Sequence, residues 1–208
     1  MNRLAIRVRR RAPGALAAVL GALVVGACYG PPSRVSPRVT VRPGLEGLLA
    51  DSAHLVQGQR VGFLTRQSGI DRRSLHVVSL LRAGGVNLVA LFSPEHGFRG
   101  AARPGEAVAS SVDSATGLPI YSLYGTSVAT SLEAIAGLDV VLIDLQDVGA
   151  RYYTWLHTTV EVMKAAATHG KRVVILDRPN PIGGMVQVNI LDMAYATAVG
   201  LLAIPMRH

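Results

Sequence analysis

Five short apolar runs, separated by polar turns and by stretches of helical spacing, organise the chain from residue 60 onward. "RVGFLT" (60–65), "NLVALFS" (87–93), "PIYSLYG" (119–125), "DVVLIDL" (139–145) and "RVVILD" (172–177) read as strands. Between them, "SLHVVSLLRAGG" (74–85), "SLEAIAGL" (131–138) and "TWLHTTVEVMKAAATHG" (154–170) have the period of helices. The last carries apolar residues at 155, 156, 160, 163 and 167 and closes on a glycine. Nearly continuous Val, Ile and Leu in the strands, the final one included, predict burial on both faces. The expectation is an α/β, Rossmann-like domain over residues 45–208: a mostly parallel sheet with helices on both sides. No GxGxxG follows the first strand, where "TRQSG" stands instead, so the dinucleotide signature is missing.

The first forty-four residues follow another logic. Five arginines between Arg3 and Arg11 precede "APGALAAVLGALVVGA", an apolar run too short for a confident membrane span. It ends at the only cysteine, Cys28, in "VGAC", which resembles a bacterial lipobox. The expectation is a lipoprotein signal over 1–28, with Cys28 lipidated and the mature chain exported and anchored to a membrane. With Tyr29 and not Asp after the cysteine, that membrane is the outer one where the cell has one. The proline-rich, acid-free stretch 29–44 then reads as a tether. The signal also explains the charge. Five of the 21 basic residues lie in it, leaving sixteen against thirteen acids, or +3, so the formal +8 is no argument for nucleic acid as a partner.

Candidate chemistry gathers at the strand ends, where ligands bind in open α/β sheets. The first strand runs into Thr65, Arg66, Gln67 and Ser68, the second into Ser93, Glu95 and His96. The fourth reaches Asp144, Gln146, Asp147, Arg151 and Tyr152, and the last Asp177, Arg178 and Asn180. Glu95 stands out: Pro94 stiffens the backbone before it and Gly97 lets the chain leave at an unusual dihedral, which fixes the carboxylate's direction. A directed carboxylate suits a general acid, and His96 would polarise it or bind substrate. Asp144 and Asp177 are equally well read as caps or as partners of neighbouring arginines. His54, His76, His157 and His169 sit in helical pattern and receive no role. No His, Cys and Asp set has metal-ligand spacing and no serine sits in a nucleophile elbow, so neither metal nor cofactor is expected.

"LFSPEHGFRG", "TGLPIYSLYG", "DLQDVGARYYTW" and "VVILDRPNPIGG" resemble, in order and spacing, motifs of the NamZ-type exo-β-N-acetylmuramidases, formerly a domain of unknown function. The resemblance covers roughly residues 44–208. It implies release of N-acetylmuramic acid from the non-reducing ends of peptidoglycan fragments, with Glu95 catalytic as the SPEHG glutamate. By the same matching, the polar residues Asp144, Gln146, Asp147, Arg151, Tyr152, Asp177, Arg178 and Asn180 carry over. Arg66 departs from the family, which has Asn there, and "MVQVNILDMAYATAVG" lacks the usual Gly-Pro. The family continues past "IPMRH" into a smaller second domain, so a truncated copy is expected.

Two functions remain open. In the first, a glycosidase, Glu95 protonates the leaving oxygen. Asp144, Asp147 or the substrate's own acetamido group assists, and Arg151 or Arg178 binds the lactyl carboxylate. In the second, a membrane-anchored lipoprotein binds muropeptides or sugars without turning them over. A metal-dependent phosphoesterase using Asp144, Asp147 and Asp177 is a poorer third, because no histidine falls in register with them.

Overall fold

The structure is a computed structural model, and it describes residues 41–187, 190–197, 200, 202–204 and 206–207. The expected signal, Cys28 and all but the end of the tether lie outside the described residues. Six strands make one sheet: β1 (Val61–Leu64), β2 (Leu88–Ser93), β3 (Ser111–Val112), β4 (Pro119–Ser122), β5 (Val140–Ile143) and β6 (Arg172–Ile175). Their order is β3-β4-β2-β1-β5-β6, and every pairing is parallel except β3 with β4. A two-stranded antiparallel ribbon, β7 (Val186–Gln187) with β8 (Met206–Arg207), stands apart from it.

Helices cover both faces, as the continuous apolar strands require. On one face, Leu45 and Leu48 of α1 (Gly44–Asp51) and Val77, Val78 and Leu81 of α2 (Val77–Ala83) pack on Phe63, Leu91 and Leu142. On the other lie α3 (Val128–Glu133), the 3₁₀ turn Ala134–Gly137 that continues it, and α4 (Thr154–Thr168). There Ile135, Leu138, Val162 and Ala166 meet Leu64, Phe92, Val141 and Ile143. Alternate residues of each strand thus serve opposite cores.

Three expectations need correction. β6 is not a buried strand but the sheet's edge, paired with β5 alone, and Ile175 is 53% exposed. The buried stripe of α4 is Trp155, Thr158, Val162 and Ala166, which share one helix face at spacings of three and four, with Met163 on the outer side. α2 begins at residue 77 and not 74. His76 caps it, its Nδ1 accepting from the Val78 N–H at 3.3 Å, and residues before a cap are non-helical by construction.

The topology points to one place. The chain builds outward from β1 through β2 to β4, then returns to lay β5 against the opposite edge of β1. The crevice outside the carboxyl ends of β1 and β5 is therefore a topological switch point, the position where such sheets bind ligands.

Candidate active site

Ser122 and Ser93 form the last rung of β4 with β2, and one step beyond the ends of β1 and β5 the register continues this row with Thr65 and Asp144. All four are buried. The Thr65 and Ser93 hydroxyls have no hydrogen-bond partner among the described residues, a state that costs about 1–3 kcal/mol each.

Past this row the second strand turns through Pro94 into Glu95. His96 follows with φ 71°, a left-handed conformation that costs a non-glycine residue about 1–2 kcal/mol. The His96 ring nitrogen Nδ1 lies 3.0 Å from the Ala102 carbonyl, which holds the strained turn closed. The turn aims Glu95 at three donors. Its Oε1 accepts from the Gly105 N–H at 3.0 Å and its Oε2 from Thr154 Oγ1 at 2.7 Å, and the Tyr124 hydroxyl supplies the third. Thr154 opens α4, so the carboxylate also sits at the positive end of a fifteen-residue helix. Partial burial works to raise the Glu95 pKa. The three hydrogen bonds and the charge of His96 outweigh it and hold the carboxyl below its ordinary value. Tyr124 moves the other way, pushed up first by burial and then by the adjacent carboxylate. At neutral pH Glu95 is therefore ionised, the state of a base or a charge-stabilising group. Donating a proton requires that it first lose a donor or become further enclosed.

The remaining carboxylates differ in availability. Asp144 is buried and bound on both oxygens by Arg178, from Nε at 2.5 Å and from Nη2 at 2.8 Å. Arg178 also reaches the Ile70 carbonyl, and its pKa is raised by the bond to Asp144. This forked pair ties the end of β5 to the segment after β6 and occupies one lone pair on each Asp144 oxygen. Asp147 is less committed: Oδ1 accepts from the Gly149 N–H at 3.0 Å and Oδ2 from Asn180 Nδ2 at 3.1 Å. Gln146 Nε2 spans the same two segments, donating to the carbonyls of Asp147 and Pro179. Arg151 Nη1 donates to the Ile204 carbonyl at 3.3 Å and the Leu202 carbonyl at 3.5 Å. Asp177 is exposed, and its carbonyl holds the Gly44 N–H at 2.7 Å. Tyr152 is 71% exposed. The structure thus gathers Glu95 with Tyr124 and Thr154, Asp147 with Gln146 and Asn180, and Asp144 with Arg178. Among the described residues no three or more His, Cys, Asp or Glu side chains are grouped for a metal ion.

Several residues of the site escaped sequence reasoning. Tyr124 and Thr154 lie inside two quoted motifs, at a strand end and a helix start, but only the fold shows that both face Glu95. With His157 and the apolar Leu123, Val128 and Leu132, they line a cavity of about 200 Å³. His157, which received no role, lines this cavity, and its buried Nδ1 has no partner among the described residues. Arg66, named at the end of the first strand but given no role, stacks on α4: its guanidinium carbon sits 4.1 Å from the centre of the Trp155 ring. His76, by contrast, is structural, its ring wedged between the Arg66 carbonyl and the Phe98 edge.

Comparison with known proteins agrees with this architecture. The family described as exo-β-N-acetylmuramidase NamZ, N-terminal, matches residues 61–208. A peptidoglycan β-N-acetylmuramidase NamZ of Bacillus subtilis strain 168 is 38% identical over 178 residues, 85% of this chain and 43% of that protein. Two crystal structures of DUF1343 family proteins from Bacteroides fragilis superpose with TM-scores of 0.71 and 0.64 at 38% and 36% identity. They are covered over 43% and 42% of their lengths, against 81% and 79% of this chain. The chain thus spans less than half the length of each of these relatives.

Proposed function

The chain belongs to the NamZ exo-β-N-acetylmuramidase family through that family's N-terminal domain, and from this premise we propose that it serves hydrolysis of peptidoglycan fragments. The substrate is a terminal N-acetylmuramyl residue, and Glu95 is the carboxylate at the reacting bond. The observation that carries this reading is the seating of Glu95: a strained turn, three converging donors and a helix N-terminus, with two of those donors, Tyr124 and Thr154, lining a cavity of about 200 Å³. Asp147 is the better second carboxylate, because Asp144 is bound to Arg178. With Glu95 ionised at rest, it stabilises positive charge developing at the anomeric carbon. It becomes an acid only once bound substrate displaces one of its donors. The metal-dependent phosphoesterase reading finds no support in this arrangement of aspartates.

The test is release of the terminal sugar from a chromogenic N-acetylmuramide. Glu95→Gln is expected to lower the rate by at least about 10²-fold, and Asp147→Asn by a smaller factor. Full activity in Glu95→Gln would remove it from the reacting centre. A binding lipoprotein is the second reading, favoured by the ionised resting state of Glu95. Saturable calorimetric binding of muramic-acid disaccharides without turnover would select it. We further propose that the chain is exported and anchored through Cys28; Cys28→Ser is then expected to abolish metabolic labelling with palmitate.

A further inference from the structure

Arg66 lies two residues beyond β1, at the switch point, with its side chain directed to Trp155 of α4. Its guanidinium stacks over Trp155, and its Nε donates to Gln67 Oε1 at 2.9 Å. Both Nη groups are left without a protein acceptor among the described residues. All thirteen acidic side chains are described, and none forms an ion pair with Arg66. Burial lowers its pKa, an effect that Tyr153 opposes. A half-buried cation with no counter-ion is a standing electrostatic cost that an anionic ligand relieves.

The other arginines named for anion binding are occupied. Arg178 is consumed by Asp144, and Arg151 is engaged by the Leu202 and Ile204 carbonyls. Trp155 follows Thr154, the residue that holds Glu95, so Arg66 and Glu95 meet the same first turn of α4. A ligand touching both therefore lies along that turn, with its anion at Arg66 and its reacting bond at Glu95.

We propose that Arg66 is the carboxylate-binding residue of this site. Its free Nη fork, braced by Trp155, grips the lactyl carboxylate of a muramic acid residue whose anomeric bond lies at Glu95. The proposal rests on the glycosidase reading and assigns a specificity element to it. A planar fork fits a carboxylate with two parallel hydrogen bonds, and stacking fixes the plane in advance.

Trp155 is the chain's only tryptophan, so its fluorescence reports directly on the group stacked upon it. Titration with N-acetylmuramic acid and with N-acetylglucosamine, the same sugar without the lactyl ether, compares ligands that differ only in the carboxylate arm. The acid is expected to bind at least about tenfold more tightly, measured by fluorescence and by calorimetry. Arg66→Gln should erase the preference. Arg66→Lys, which keeps the charge but not the fork, should retain part of it and carries the test if the glutamine variant does not fold. Equal affinity for the two sugars, or a preference unchanged in Arg66→Gln, overturns the assignment and leaves the muramidase reading intact. Arg66-dependent binding of free d-lactate without binding of either sugar upholds the anion site and rejects muramic acid as its ligand. Binding of none of the three rejects both.

Discussion

At the scale of single residues, the site is governed by how each carboxylate is neutralised. Glu95 is held by hydrogen-bond donors, and its pKa is lower in the native protein than in the unfolded chain. Its ionised form therefore stabilises the fold above the unfolded value, near 4.3, and that contribution is lost as pH falls through the lower native value. Thermal melts between pH 3 and 7 are expected to show a shallower acid dependence in Glu95→Gln than in the parent. Thr154→Val removes one donor at nearly constant volume, and the ¹³C-detected titration of Glu95 should move upward. Asp144 is held by a guanidinium, and its loss has a different signature. Asp144→Ala strands a half-buried cation and is expected to cost about 3 kcal/mol in urea denaturation. The double variant Asp144→Leu/Arg178→Met should recover much of it, since the isolated charge is then gone.

At the scale of elements, α1 shows how a close approach is written into one residue. A Cβ on Gly44 would lie 2.5 Å from the Asp177 backbone nitrogen, so only glycine lets α1 begin against the end of β6. Gly44→Ala is expected to destabilise by about 1–3 kcal/mol, read as a lowered denaturation midpoint with unchanged slope. The five parallel strands and three of the helices were legible because their apolar periods are strong and uninterrupted. α1 was not: Gly44 closed a proline-rich stretch, and eight residues hold only two core contacts, Leu45 and Leu48. β3 was invisible for a similar reason, being two exposed residues defined only by pairing with β4. For the site, Glu95 was legible because Pro94 and Gly97 mark an unusual turn within one stretch of chain. Its donors were not, because Gly105, Tyr124 and Thr154 are brought to it by the fold. An arginine partner for Asp144 was one of the readings left open, but that the partner is Arg178, 34 residues along the chain, only the fold shows.

At the scale of the whole molecule, apolar surface is distributed unevenly. Ile175, Ile182, Met185, Val186, Ile190, Met193 and Tyr195 are all exposed, concentrating large apolar side chains in one part of the chain. Surface of this kind marks interaction or association. Concentration-dependent sedimentation and binding of an apolar dye are expected, both reduced in Ile175→Thr/Met185→Gln without loss of thermal stability. The placement of β1 has a consequence for the order in which the protein comes into being. Among the described strands it is the first made, and it shares the centre of the sheet with β2: Val61 finds Leu88 on one edge and Val140 on the other. As the chain emerges from its N-terminal end, one edge of β1 is closed early. The other stays open until β5 has appeared, 79 residues of synthesis later by the pairing of Arg60 with Asp139. Thr154 arrives later still, so Glu95 acquires its last donor only after the sheet's centre has closed. In a nascent chain Glu95 thus gains its full set of donors only after the open edge of β1 has been sealed.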